Sequence, residues 1–174
     1  MLIYLSFIDE PDDKRKFEEI YSSYKQTMFY AANRILKDNY TAEDAVHQAF
    51  IRIIDHLDKI EDVKSQRTRA FLVVIVEHIA IDIYRKRKKE NWLSYDEMDI
   101  YIANDFEISF DNEIVGAIAT LPLNYSTVLR LKYSQGYTDV EISRILDISE
   151  DNVRQRISRG KKKLAQLLNK ERRE

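Results

Sequence analysis

Between residues 150 and 163 the chain reads EDNVRQRISRGKKK, and its polar side chains recur at helical spacing. Asn152, Arg154, Gln155, Arg156, Ser158 and Arg159 come first, and Lys161, Lys162 and Lys163 follow. Arg, Asn and Gln can each make paired hydrogen bonds to base edges in the major groove, while lysines further along a helix neutralise phosphates. The pattern therefore suits a helix that reads duplex DNA with its first turns and grips the backbone with its later ones. Glu150 and Asp151 admit two readings: they stabilise the positive end of the helix dipole, or they accept a hydrogen bond from a cytosine amine. A second basic run, RKRKK at 85–89, closes a helical pattern that also carries His78 and Asp82.

Other chemistries find no support. The three histidines, His47, His56 and His78, lack a spacing that brings three metal ligands together, and there is no nucleophile–base pair or phosphate loop. The chain is read as non-enzymatic, with no cofactor. No cysteine occurs, which excludes a disulfide framework and thiolate metal sites and fits a reducing cytoplasm. The opening MLIYLSFIDEPDD has a brief apolar run with no basic leader, too short and wrongly flanked for a signal peptide. No later run is long enough to span a bilayer, so a cytoplasmic protein without membrane insertion is expected.

The elements that position these residues are helical nearly throughout, and three glycines and two prolines leave little turn material for short strands. Thr138 and Glu141 form a capping box that starts one helix, with Val140, Ile142, Ile145 and Leu146 on its inner face. Asp147-Ile148-Ser149 is short enough for the turn of a helix-turn-helix, and Ser149 can cap the next helix, whose inner residues are Val153, Ile157 and Leu164. Upstream, Ile114, Ile118 and Leu121 mark a short helix, and Pro122 suits the first turn of another that carries Val128, Leu129, Leu131 and Tyr133. A long first helix, with Phe17, Ile20, Tyr21, Tyr24, Met28 and Ala31 at its core, is expected to reach about Lys37. Thr41 with Asp44 resembles a capping box for a second helix, and a polar loop around EDVKSQR precedes a third from about Arg69 to Lys89. On that third helix Phe71, Leu72, Ile75, Val76, Ile79 and Ile83 can pack inward, and His78, Asp82, Arg85, Lys86 and Lys89 share another face.

Charge is strongly segregated behind a net of −2. Residues 1–65 carry 9 basic and 13 acidic side chains, and residues 66–90 carry 7 and 3. Residues 91–115 carry 0 and 7, and residues 116–174 carry 12 and 7. Two basic segments flank an acidic one, which points to two polyanion-contacting surfaces and a connector that repels nucleic acid. The expected organisation is all-α: an N-terminal helical bundle over residues 1–90, an acidic linker over 91–112, and a C-terminal helix-turn-helix domain over 113–174.

Residues 121–164, LPLNYSTVLRLKYSQGYTDVEISRILDISEDNVRQRISRGKKKL, resemble the C-terminal promoter-binding domain of extracytoplasmic-function sigma factors of the sigma-70 family. AEDAVHQAFIRIIDHL (42–57) and RAFLVVIVEHIAIDIYRKRKK (69–89) resemble that family's N-terminal core-binding and promoter-melting domain. The resemblance spans about Phe17–Lys89 and Glu113–Leu168. It implies that the second helix docks on the clamp helices of the largest subunit of core RNA polymerase through Asp44, His47, Gln48, Ile51 and Arg52. It implies that Lys64, Ser65, Gln66, Arg67, Arg69, Phe71, His78, Asp82, Arg85, Lys86 and Lys89 handle the melted −10 element. It assigns the −35 element to Asn152, Arg154, Gln155, Arg156, Ser158, Arg159, Lys161 and Lys162. The C-terminal domain would sit on the polymerase flap, with the linker near the RNA exit path, and the family often has an anti-sigma partner. Departures from the family pattern are His47 and Gln48 where Gln-Glu follows, Phe71 for Trp, His78 for Asn, Asp147 for the turn Gly and Ser143 for Ala. Two other readings of the chain are a helix-turn-helix regulator with a sensing or dimerising N-terminal domain and a factor that sequesters polymerase.

Overall fold

The computed structural model describes residues 1–90 and 113–171, excepting the side chains of 88–90, 113, 115, 170 and 171. The expected linker, 91–112, lies outside the described residues. The fold is all-α, and the described residues fall into two compact units, one within Met1–Ser94 and the other within Tyr95–Glu174.

In the first unit a short helix, α1 (Leu2–Leu5), precedes three long ones: α2 (Pro11–Leu36), α3 (Asn39–Ile54) and α4 (Gln66–Glu90). Pro11 opens α2 with Asp12 and Asp13 in its first turn, where preset backbone and negative charge both favour a helix start. Phe17, Ile20, Tyr24, Met28, Ala31 and Ile35 follow at steps of three and four residues, and all are buried. Lys37 ends α2 in the left-handed region at φ 52°. That sharp reversal makes Asp38 the cap of α3, accepting from the Thr41 N–H at 3.1 Å. The expectation that Thr41 starts this helix is therefore corrected: Thr41 already lies in its first turn, buried, with its hydroxyl bonded to Asp38. A carboxylate on extended backbone directly after a left-handed residue outcompetes a hydroxyl three residues on.

The loop before α4 is shorter than expected. Ser65 caps the helix, its Oγ accepting from the Thr68 N–H at 3.1 Å, so Gln66 and Arg67 lie in the first turn rather than in a loop. From Phe71 to Ile81 every residue of α4 is buried, as an apolar run without a polar face requires. Glu77 and His78 are buried with it, each 1% exposed. His78 does reach Asp82 on the face it was expected to share, but it is buried there, whereas Asp82, Arg85 and Lys86 are exposed.

The second unit contains α5 (Glu113–Ala119), α6 (Leu123–Leu129), α7 (Asp139–Leu146) and α8 (Glu150–Glu171). Pro122 sits just outside α6 as its cap, and α6 runs on into one wide π-type turn, Arg130–Ser134. Within that turn Leu131 is buried and Tyr133 is 52% exposed. Gly136, at φ 77°, makes the left-handed turn that leads to α7. Val140 is also exposed, leaving Ile142, Ile145 and Leu146 to face the core.

Gly160 sits in the middle of α8 and is buried. A Cβ there would lie 3.0 Å from Leu129 Cδ1 and 3.2 Å from Tyr125 Cβ, so its absence lets α8 close onto α6. Gly160→Val is expected to lower the unfolding free energy by about 2 kcal/mol through overpacking, read as a lower thermal midpoint. An unchanged midpoint would mean that the α6–α8 contact gives way freely.

Candidate nucleic-acid interface

The helix-turn-helix is built by local caps. Thr138 Oγ1 accepts from the Glu141 N–H at 3.2 Å, and the Glu141 carboxylate accepts from the Thr138 N–H at 2.9 Å. Asp147 takes the left-handed conformation at φ 54° that ends α7, and the Ile148 N–H reaches back to Ser143 O at 3.0 Å. Ser149 Oγ then accepts from the Asn152 N–H at 3.2 Å and starts α8.

Along α8, Val153, Ile157 and Gly160 form the buried edge, and Arg154, Gln155, Ser158, Arg159, Lys161 and Lys162 are exposed. Asn152 and Arg156 are half-buried at the margin of that face. The lysine run divides: Lys161 Nζ lies 5.2 Å from the Tyr133 ring centre and Lys163 Nζ 5.6 Å from that of Tyr125, while Lys162 is exposed. The two acids that head the helix both engage Arg154. Its Nη1 donates to Glu150 Oε2 at 3.3 Å and its Nη2 to Asp151 Oδ1 at 2.8 Å. The hydrogen bond to Asp151, reinforced by both negative charges, holds the guanidinium pKa above its ordinary value. Neither sequence reading of these acids included this pairing.

In the first unit the turn from Asp62 to Thr68 is fastened from several sides. Asp62 Oδ1 accepts from the Lys64 N–H at 2.9 Å, Asp62 O accepts from the Thr68 hydroxyl at 2.7 Å, and Val63 O accepts from the buried Tyr24 hydroxyl at 2.7 Å. On this fixed base Lys64, Gln66, Arg67 and Arg69 are exposed, whereas Ser65 is committed to capping. Phe71 and His78 are core residues, and the His78 imidazole points to Asp82, with Nε2 3.2 Å from Oδ2. Neither is placed to touch a strand at the surface. Asp82, Arg85 and Lys86 are exposed, and the Lys89 side chain lies outside the described ones.

Arg87, inside the basic run, has a structural job the sequence did not reveal. Its Nη1 donates to Thr41 Oγ1 at 3.2 Å, and its Nη2 lies 3.6 Å from Asp38 Oδ2, tying the end of α4 to the start of α3. Hydrogen bonds from the Thr41 hydroxyl and N–H, with Arg87 adding its charge, hold the Asp38 carboxyl below its ordinary pKa.

The outer face of α3 exposes Glu43, Asp44, His47, Gln48 and Ile51, with Arg52 half-buried beside them. Gln48 Nε2 donates to Asp44 Oδ2 at 2.8 Å. His47 Nδ1 is 2.6 Å from the hydroxyl of Tyr4, which the N-terminal turn brings against Phe17, Tyr21 and Phe50. These surfaces provide a cationic, hydrogen-bonding helix for duplex DNA, a rigid polar turn beside a basic helix end, and an acidic helix face with an apolar centre.

The chain matches two family models: Sigma-70 region 2 over residues 20–90 and Sigma-70, region 4 over residues 111–164. It is 29% identical over 171 residues to the ECF RNA polymerase sigma factor SigW of Bacillus subtilis (strain 168), covering 90% of each chain. It is 27% identical over 158 residues to the ECF RNA polymerase sigma factor SigM of the same organism, covering 88% of this chain and 95% of that one. A solved chain, the sigma factor RpoE from Bartonella quintana in complex with the anti-sigma factor NepR, superposes with a TM-score of 0.41 at 18% identity. That superposition covers 88% of this chain and 96% of the other, and is too loose to add to the sequence matches. With both sigma-70 regions present in order, and with relatives covered nearly end to end, the chain belongs to the extracytoplasmic-function group of the sigma-70 family.

Proposed function

We propose that the chain directs core RNA polymerase to specific promoters and helps open them, acting as a binding subunit without a catalytic step of its own. The presence of both sigma-70 regions in one chain carries this reading, and it does not favour a dimeric regulator. Residues 1–90 serve as the core-binding and melting domain, 91–112 as the linker and 113–174 as the −35-binding domain. The exposed face of α3, with Asp44, His47, Gln48 and Ile51, docks on the clamp helices of the largest subunit, and the C-terminal domain sits on the flap. Its partner places the protein in the cytoplasm.

Lys64, Gln66 and Arg67 hold the melted −10 strand against the fixed turn, and Arg69, Arg85 and Lys86 supply cations along it. Ser65 shapes that turn as the cap of α4, and Phe71 and His78 support the surface from within. Arg154, Gln155 and Ser158 meet base edges of the −35 element, flanked by Asn152 and Arg156, while Arg159, Lys161 and Lys162 meet phosphates. Purified protein mixed with core polymerase is expected to form a stoichiometric complex and to support run-off transcription from a cognate promoter. Failure of both would overturn the reading. Lys162→Ala is expected to reduce the slope of log affinity against log salt by about one, with base preference unchanged. A changed base preference would move Lys162 from the backbone to the bases.

A further inference from the structure

The first eight residues form a small anchored structure. Tyr4 and Ile8 are buried, while Leu2, Ile3 and Phe7 are 83%, 62% and 63% exposed. Tyr4 fastens the turn to α2 and α3: its ring packs against Phe17, Tyr21 and Phe50, and its hydroxyl meets His47 Nδ1 at 2.6 Å. His47 lies on the outer face of α3, one turn before the exposed Ile51. The apolar turn is thus fixed at the edge of that face rather than left to move independently. Contiguous exposed apolar side chains on a held scaffold mark an interaction surface, because leaving them in water is unfavourable and holding them there serves no packing purpose. The surrounding charge is acidic, from Asp9 and Glu10 after the turn, from Glu43 and Asp44 on α3 and from Asp55 just past its end, all exposed.

We propose that the N-terminal turn is part of the polymerase-docking surface, extending the α3 face with an apolar patch that seats against an apolar, cation-rimmed area of the core enzyme. The proposal rests on α3 being the docking helix. Continuity through the Tyr4–His47 bond selects the partner: whatever covers His47 and Ile51 reaches the turn as well. The acidic surround selects its charge. Tyr4 acts here as a positioning residue, and Leu2, Ile3 and Phe7 make the contact.

The test measures affinity of the full chain for core polymerase, together with its thermal midpoint. The Leu2→Ser/Ile3→Ser/Phe7→Ser variant is expected to bind at least about tenfold more weakly with an unchanged midpoint, since the three side chains are exposed in the free protein. Tyr4→Phe, which keeps the ring and removes the hydroxyl, is expected to lose affinity in the same direction but by less. Asp44→Ala and Ile51→Ser probe α3 separately. If they weaken binding while the triple variant binds like the parent chain, the extension is overturned and the α3 reading stands. If neither set has an effect, or only the triple variant does, the α3 reading fails and takes the extension with it. If the parent self-associates or binds phosphatidylglycerol vesicles, and the triple variant loses that property with unchanged polymerase affinity, the patch belongs to a second copy or a membrane surface and the proposal is overturned.

Discussion

Arg34→Ala is expected to lower the unfolding free energy by about 3 kcal/mol, because it removes a cation from a carboxylate held in the core. Arg34 Nη2 lies 3.2 Å from Glu77 Oε1 and joins α2 to α4, with side-chain exposures of 23% and 2%. Breaking a buried pair from one side costs more than the pair itself contributes, since the remaining charge stays desolvated and loses this cation. The partial exposure of Arg34 sets the figure toward the lower end of that range. Urea unfolding provides the measurement, with the midpoint falling and the slope unchanged. Replacing both residues, as Arg34→Met/Glu77→Met, is expected to recover most of the loss because no buried charge is left short of its cation. A single variant within about 0.5 kcal/mol of the parent chain, or a double variant less stable than the single, would refute the explanation by buried charge.

What the sequence disclosed and what it concealed divide along the range of the interactions involved. The capping box at Thr138 and Glu141, the cap at Ser149 and the left-handed Asp147 were legible because each is settled within four residues. The second helix start was not, because Thr41 and Asp38 are both good caps and the choice between them follows from how Lys37 ends α2. His78 shows the same limit from the other side. Its spacing from Asp82 and Arg85 resembles a polar face, but the run FLVVIV before it already describes a helix buried all round. Arg87 could not be told from its basic neighbours without knowing that the end of α4 meets the start of α3. Gly160 did leave a signal, a glycine within a helical pattern, although the residues it approaches lie some thirty positions earlier. The exposed face of α8 was readable because its chemistry depends on one helix alone, and the pairing of Arg154 with its two acids was hidden by treating those acids singly.

That pairing shapes the expected outcome at the −35 element. Arg154→Ala is expected to weaken duplex binding roughly tenfold to a hundredfold at its cognate base pair and far less on a duplex with that pair substituted. The geometry explains why the effect depends on the base. Glu150 and Asp151 take one hydrogen-bonding edge on each of Nη1 and Nη2, and their charge opposes docking of this end of α8 against phosphates. Both pairs are solvent-exposed, so they orient the guanidinium at little cost and are screened as salt rises. Glu150→Gln/Asp151→Asn is therefore expected to raise affinity for all duplexes at low salt while narrowing the gap between cognate and substituted sequences. Arg154→Ala made in that background is expected to cost less discrimination than in the parent chain, because its orienting partners are already gone. Fluorescence anisotropy with a cognate and a substituted duplex at two salt concentrations measures all four chains. Equal losses on both duplexes would make Arg154 a phosphate contact, and unchanged discrimination in Glu150→Gln/Asp151→Asn would confine the two acids to stabilising the start of α8.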